Sequence, residues 1–364
     1  MSSSHRRIVY LFGAGASQAE ASLVNPEVQI LMNDLSDAIA LRIKKEGIAI
    51  PKEVSNQLLS GVDIEQIMTL FESAGTSRHQ QNVSLLRNLF RKVILERIDE
   101  LGMDFSPRLL PALVDMHQIP GLNEDLVAMM TLNYEDFLEK AIVKIKGGIN
   151  YEILVDNDLP IYKIDSTVFP LLKLHGSFNW KNQFPVSIIP PDQTASAEDV
   201  LWIPPGVEKR REKYPFNLIW GKAREMLTCD TLRIVGCSLS RNDWELISLL
   251  HFTQHLNESG TYHIELIDYP TACNDIEGNY RYLKINKILD DPAVRSYLID
   301  QYFPELAELS APPDEVIKEL TAAVEPPKYN IFDIWLTAKG EDLLSKDIPI
   351  ETERNIFKAY MEKG

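Results

Sequence analysis

The stretch Ile8-Val9-Tyr10-Leu11-Phe12-Gly13-Ala14-Gly15-Ala16-Ser17 decides the reading of this chain. Five consecutive apolar residues rich in β-formers predict a strand buried on both faces, as in a parallel sheet. Glycines follow at once, and the small, helix-favouring run Ala16 to Ala21 follows them. Strand, glycine turn and helix, in that order, form the phosphate-cradling unit of dinucleotide-binding folds. Glycines let the backbone approach a pyrophosphate, and the helix N-terminus offers unpaired N–H groups and the positive end of its dipole. On this reading Gly13, Ala14 and Gly15 floor a nucleotide site, and Ser17 adds a hydroxyl donor. The third glycine of the fingerprint is missing, and Gln18 stands in its place. The two glycines alone read equally well as an ordinary tight turn. Their position, directly after a buried strand and opening a helix, favours the nucleotide.

Outward from this unit, residues 27 to 103 carry helical spacing. Val28, Leu31, Met32, Leu35, Ile39 and Ile43 form one stripe, Ile64, Ile67, Met68 and Phe71 a second, and Leu85 to Ile98 a third. The pattern predicts a helical subdomain inserted after the first βα unit. Strand character returns at Leu126–Thr131, and a helix follows over Phe137–Lys146, ended by Gly147-Gly148. Leu171–Leu174 reads as another core strand, running into His175-Gly176-Ser177. Residues 181 to 215, with Pro190-Pro191 and Pro204-Pro205, read as a loop-rich excursion. A helix over Phe216–Leu227, a strand over Leu232–Val235 entering Gly236-Cys237-Ser238, a helix over Asp243–Leu256 and a strand over Tyr262–Ile267 complete the series.

Alternating strands and helices predict an α/β fold, a Rossmann-like parallel sheet with helices on both faces and an inserted helical subdomain. The boundaries follow: 1–25 the first βα unit, 26–120 the helical insertion, 121–310 the remainder of the Rossmann-like domain. Residues 311–364, with Pro312-Pro313 and Pro326-Pro327, read as a C-terminal appendage that docks a partner.

The 364 residues suit two or three structural units at roughly 150 residues each. A net charge of -16 disfavours direct nucleic-acid binding by this chain alone. Lys209, Arg210, Arg211 and Lys213 read as a solvated basic patch, and the aromatic residues between 180 and 220 as loop packing. Cys229, Cys237 and Cys273 include no C-x-x-C pair, so neither a zinc ribbon nor a disulfide framework is expected, and no metal. The apolar run at 8–12 is far short of a signal peptide, or of a membrane span at about 20 residues. A cytoplasmic protein without membrane contact is the expectation.

Ligands in open α/β sheets lie beyond the carboxyl ends of the strands, so three further strand ends carry interest. Thr131-Leu132-Asn133-Tyr134-Glu135 places a polar pair, Thr131 and Asn133, at such an end; an Asx turn capping the next helix is the bland reading. His175 lies at another, where a neutral imidazole can take a proton at cellular pH, although a lone histidine is more often a packed one. Gly236-Cys237-Ser238-Leu239-Ser240, with Asn242-Asp243 opening the next helix, is a second glycine-containing loop; helix capping explains it equally. Asp268, after the last strand, either meets a ribose hydroxyl or closes a turn.

Taken together and in this order, these segments resemble the sirtuin-like superfamily, specifically its bacterial antiphage branch. The resemblance spans about residues 7 to 270 and is carried by Gly13-Ala14-Gly15-Ala16-Ser17, Thr131-Leu132-Asn133-Tyr134-Glu135, Leu174-His175-Gly176-Ser177 and Gly236-Cys237-Ser238 with Asp243. It implies a NAD-binding Rossmann-like domain with Asn133 and His175 as the catalytic pair. Gly13, Gly15, Ser17 and Ser238 would contact NAD, in company with Ala14, Thr131, Gly236 and Asp268. Two departures are visible. Glu135 stands where the family has aspartate, and the four zinc cysteines of the protein deacetylases are absent. The resemblance therefore implies NAD+ hydrolysis to nicotinamide and ADP-ribose, as the effector of an antiphage system. The alternatives are a non-catalytic NAD- or ADP-ribose-binding regulatory subunit and, less favoured, a protein deacylase. It implies further that NAD+ is substrate, that copies of the chain assemble, and that sensing falls to a partner such as a HerA-like hexameric ATPase.

Overall fold

The computed structural model describes residues 5–287 except 26, 32–34, 103, 116, 118–123, 157–161, 190–194, 206–211, 241–242, 257–261 and 269. The C-terminal appendage at 311–364, the Pro190-Pro191 pair, Asn242, and Lys209, Arg210 and Arg211 of the basic patch lie outside the described residues.

Ten strands are described: β1 (Arg6–Phe12), β2 (Glu124–Thr131), β3 (Val155–Asp156), β4 (Leu171–Lys173), β5 (Gly176–Lys181), β6 (Val186–Ile188), β7 (Val200–Trp202), β8 (Thr231–Val235), β9 (His263–Ile267) and β10 (Ile285–Lys287). The helices are α1 (Ala14–Val24), α2 (Leu35–Glu46), α3 (Lys52–Leu59), α4 (Ile64–Ala74), α5 (Ser77–Asp99), α6 (Leu109–Asp115), α7 (Phe137–Lys146), α8 (Phe216–Met226), α9 (Trp244–Leu256) and α10 (Pro270–Asn279).

Six strands form the main sheet in the order β10-β9-β8-β1-β2-β4, and every neighbouring pair is parallel. This is the doubly wound order of dinucleotide-binding folds, with the chain direction across the sheet reversing between β1 and β8. β1 is central, and Ile8, Val9, Tyr10 and Phe12 are fully buried, as their unbroken apolar run requires. For this strand order the right-handed crossover rule puts α1 and α7 on one face and α8, α9 and α10 on the other. α6 packs on α1 and α7. The fold class read from the sequence is the one observed.

A buried ionic cluster ties the middle strands together. Arg233 of β8 bonds Glu124 of β2 at 2.7 and 2.9 Å, Glu265 of β9 at 2.9 Å and the Tyr10 hydroxyl at 3.0 Å. The Tyr10 hydroxyl also lies 3.0 Å from His117 Nε2.

Two apolar cores follow from this layout. One lies on both faces of the main sheet and includes Leu109, Leu110, Leu113 and Val114 of α6. The second unites α2 to α5 with Phe178, Ile189, Ala197, Val200 and Trp202. The helical stripes at 35–43, 64–71 and 85–98 therefore do bury against one another. They also bury against a second, four-stranded sheet in the order β3-β6-β5-β7. That sheet corrects the expectation of a loop-rich excursion over 181–215. β6 and β7 have three residues each, too few to show an alternation between prolines. Gly176 and Ser177, just past the end of β4, open β5 of this sheet.

Candidate functional site at the carboxyl edge of the main sheet

The registers set one row across the main sheet: Lys173 of β4 beside Thr131 of β2, Phe12 of β1, Val235 of β8 and Ile267 of β9. Because all five strands run the same way, the residues just past this row share one edge. These are His175, Asn133, Gly13, Gly236 and Asp268. The reversal between β1 and β8 makes this edge the topological switch point, where neighbouring connections depart to opposite faces and such sheets form their ligand crevice.

The floor of the crevice is two loops in backbone contact. Gly13 N donates to Val235 O at 3.0 Å, and Gly15 N donates to Gly236 O at 2.8 Å. A Cβ on Gly13 would stand 2.6 Å from Cys237 Cα, and one on Gly15 2.8 Å from Gly236 O. Gly236 adopts φ +56°, and a Cβ there would meet Ala16 N at 2.1 Å. The glycine spacing is therefore required by the approach of one loop to the other. Of the first-turn amides of α1, Gly15 N is spent on Gly236 and Ala16 N bonds Gly13 O at 3.1 Å, whereas Ala14 N has no partner among the described residues.

The segment after β2 clasps this floor. Asn133 Nδ2 donates to Gly13 O at 2.9 Å and to Ser17 Oγ at 2.8 Å, which engages both of its amide hydrogens. The Asn133 carbonyl oxygen remains as its acceptor. Thr131 Oγ1 accepts from Asn133 N at 3.0 Å and faces Phe12 O at 3.4 Å, so its hydroxyl shapes the turn. Ser17, almost wholly buried, donates to a Glu135 carboxylate oxygen rather than standing open to a phosphate. Burial pushes the Glu135 carboxyl up to about 7, against the opposing pull of Lys173 and the Ser17 hydrogen bond.

Lys173 was not singled out in the sequence, and it anchors the same segment. Its ammonium donates to Glu135 O at 2.5 Å and to Glu139 Oε1 of α7 at 2.7 Å. Gln18, where the fingerprint has glycine, also has a defined task. Its Oε1 accepts from Ile30 N at 2.6 Å, and its Nε2 donates to Val28 O at 2.9 Å, pinning the chain beyond α1. A glutamine among the small residues Ala14 to Ala21, where the fingerprint has glycine, was the available signal.

His175 is buried and enclosed. Its carbonyl accepts from Ile203 N at 2.8 Å, and its ring lies 6.3 Å from that of Tyr134 at an interplanar angle of 28°. His175 Nε2 is 3.6 Å from Asp243 Oδ1, an ion-pair distance when the imidazole is protonated. Leu174 N donates to Thr131 O at 2.9 Å and Ser177 Oγ to Tyr134 O at 2.9 Å, so the segments holding Asn133 and His175 are joined by hydrogen bonds. Ser238 is exposed at the same edge, and Asp268 is buried beside Cys273, whose thiol faces its carbonyl at 3.6 Å. Among the described residues no group of three or more potential ligands converges as a metal site. No described helix is long and apolar enough to cross a membrane.

No protein-family model matches this chain, and no curated protein matches it. Among solved structures it is similar to a mutant Sir2 homologue in complex with ADP-ribose, at 15% identity and a TM-score of 0.33, over 81% of this chain and 94% of that one. A similarity of that size carries no argument about chemistry, and the fold assignment rests on the strand order and register above.

Proposed function

We propose that the chain hydrolyses NAD+ at the bond between nicotinamide and ribose, releasing nicotinamide and ADP-ribose. The observation that supports this most is the clasp of Asn133 on Gly13 and Ser17 at the crevice between β1 and β8, with His175 on the adjoining strand end. A dinucleotide laid in such a crevice has its pyrophosphate near the first helix N-terminus. Its nicotinamide ribose then falls within the region of Asn133 and His175.

The nicotinamide of NAD+ is a cationic leaving group. The bond from its ring nitrogen to the ribose anomeric carbon breaks with the electron pair going to nicotinamide, so no general acid is needed. A water oxygen forms the new bond to that carbon. His175 takes the water proton, a contribution of about 10²–10⁴-fold for a positioned base. The Asn133 carbonyl oxygen accepts from the water or a ribose hydroxyl and orients it. The two chain segments hold these groups fixed before substrate arrives, which is how a site favours a transition state over the ground state.

One observation favours a second reading. Both Asn133 amide hydrogens and the Ser17 hydroxyl are engaged within the protein, as in a purely structural clasp, which suits a non-catalytic NAD- or ADP-ribose-binding subunit. The setting we assign, an antiphage effector that assembles with copies of itself and answers to a partner such as a HerA-like ATPase, rests on the sequence resemblance alone.

Purified full-length chain, incubated with NAD+ and followed by chromatography, is expected to release nicotinamide and ADP-ribose in equal amounts. His175→Gln and Asn133→Ala are expected to lose at least about 100-fold in turnover while remaining folded, Asn133→Ala with a lower melting temperature because its bonds to Gly13 and Ser17 are gone. Unchanged turnover in both would overturn the residue assignment. Saturable NAD+ binding with no cleavage would replace hydrolysis by the binding-subunit reading.

A further inference from the structure

The structure carries a relationship at His175 that the resemblance leaves without a role. We propose that Asp243 is a positioning residue for His175, holding the imidazole in place and stabilising it once it is protonated. The catalytic consequence rests on the hydrolase reading above; the electrostatic pairing does not.

His175 follows β4 and Asp243 precedes α9, so the pair comes from opposite halves of the doubly wound sheet. Two strands, β1 and β2, stand between β4 and β8. The carboxylate therefore joins the half of the sheet that ends in α9 to the half that holds the ring. It is fixed there, because Asp243 N donates to Ser240 O at 2.9 Å in the turn that starts α9. The two side chains retain 5% and 11% of their exposure, so their 3.6 Å separation is poorly screened. Tyr134 backs one face of the imidazole, and Ile203 N, just past β7, fixes the His175 backbone. The ring thus has Tyr134 on one face and the Asp243 carboxylate at ion-pair distance from Nε2, while its backbone is tied to Ile203.

A base that accepts a proton in a shielded site becomes a cation that water cannot solvate. A carboxylate at ion-pair distance offsets that cost and fixes the ring orientation, the general arrangement of an oriented imidazole base. Asp243 has no direct part in bond making. Its effect is to raise the fraction of encounters in which His175 is aligned and able to take a proton.

The test uses the full-length chain with D243N and D243S. Both replacements keep a side chain suited to the start of a helix, so a capping role is preserved while the charge is removed. In the first measurement, the His175 imidazole is titrated by NMR on histidine-labelled protein, its signal assigned by its loss in His175→Gln. The midpoint is expected to fall to lower pH in D243N than in wild type. In the second, nicotinamide release is expected to lose about tenfold or more in kcat, with KM for NAD+ within about twofold. An unchanged midpoint in whichever variant folds overturns the pairing, whether or not the chain cleaves NAD+. A shifted midpoint with unchanged kcat in a chain that does cleave NAD+ overturns the positioning role.

Discussion

Lys173 Nζ lies 2.7 Å from Glu139 Oε1, and both side chains are wholly shielded from solvent. Burial raises the Glu139 carboxyl above its ordinary range against the pull of Lys173, so neither group is comfortable without the other. Removing one partner of a buried pair typically costs about 3–5 kcal/mol, whereas replacing both by apolar groups is often neutral. Lys173→Met is expected to lower the unfolding free energy by an amount in that range, read from denaturant melts, and to loosen the 131–135 segment, since the bond to Glu135 O goes too. Adding Glu139→Leu should recover most of the lost stability. A single variant as stable as wild type would show that the pair contributes nothing.

Gly236→Ala meets two obstacles at once, a left-handed backbone and a contact at 2.1 Å with Ala16 N. Left-handed strain and overpacking together cost about 2–5 kcal/mol, and relief requires the β8 loop to draw away from the glycine turn. The expected variant is destabilised and has lost NAD+ affinity. Gly221, in the middle of α8, has no neighbour within 4 Å of an added Cβ. Gly221→Ala should therefore raise stability by about 0.5–1 kcal/mol, read as a higher urea midpoint. A penalty at Gly221 as large as that at Gly236 would refute the packing argument.

Glu135 gives a pH dependence with a definite sign. Its carboxyl is near 4.5 in the unfolded chain and is pushed up to about 7 by burial in the fold. The folded state binds the extra proton between these values. The stabilising contribution is full below pH 4.5 and is lost as pH rises through about 7, at about 1.4 kcal/mol per unit. In Glu135→Gln this dependence disappears. The stability difference between variant and wild type should move in favour of the variant from pH 5 to pH 8; a constant difference would remove Glu135 from the account.

His117 acts in the opposite direction. Burial and the Arg233 charge hold its imidazole down to about 3, from 6.5 in the unfolded chain, despite the opposing influence of Glu124. The fold keeps it neutral, so its contribution is full above pH 6.5 and is lost as pH falls toward 3. Thermal melts of His117→Gln between pH 4 and 7 should show a shallower acid decline than wild type. Parallel curves would place the acid sensitivity elsewhere.

Much of the main sheet was legible because its strands are apolar on both faces and end in glycine or polar turns. Ile8–Phe12 and Leu232–Val235 needed no partner to be recognised. The candidate crevice was legible for the same reason, since strand ends mark it in advance. What those ends do with their side chains was not. Thr131 and Ser17 looked like ligand donors, and each is engaged by a neighbour distant in sequence. Lys173 sits inside an apolar run, and only the fold reveals Glu139 opposite it. The small second sheet escaped because strands of three residues between prolines have no period to read.

The central position of β1 has a consequence for how the protein is made. One edge of β1 is covered by β2 and the other by β8, whose first residue, Thr231, is 219 positions beyond Phe12 (231 minus 12). At about 5–20 residues per second, a ribosome needs roughly 10–45 seconds to deliver that partner. Throughout that interval the most apolar strand of the chain keeps an open hydrogen-bonding edge, the condition that invites mispairing with other chains. The arrangement that unites the two halves of the sheet thus leaves the newborn chain with that open edge until its second half emerges.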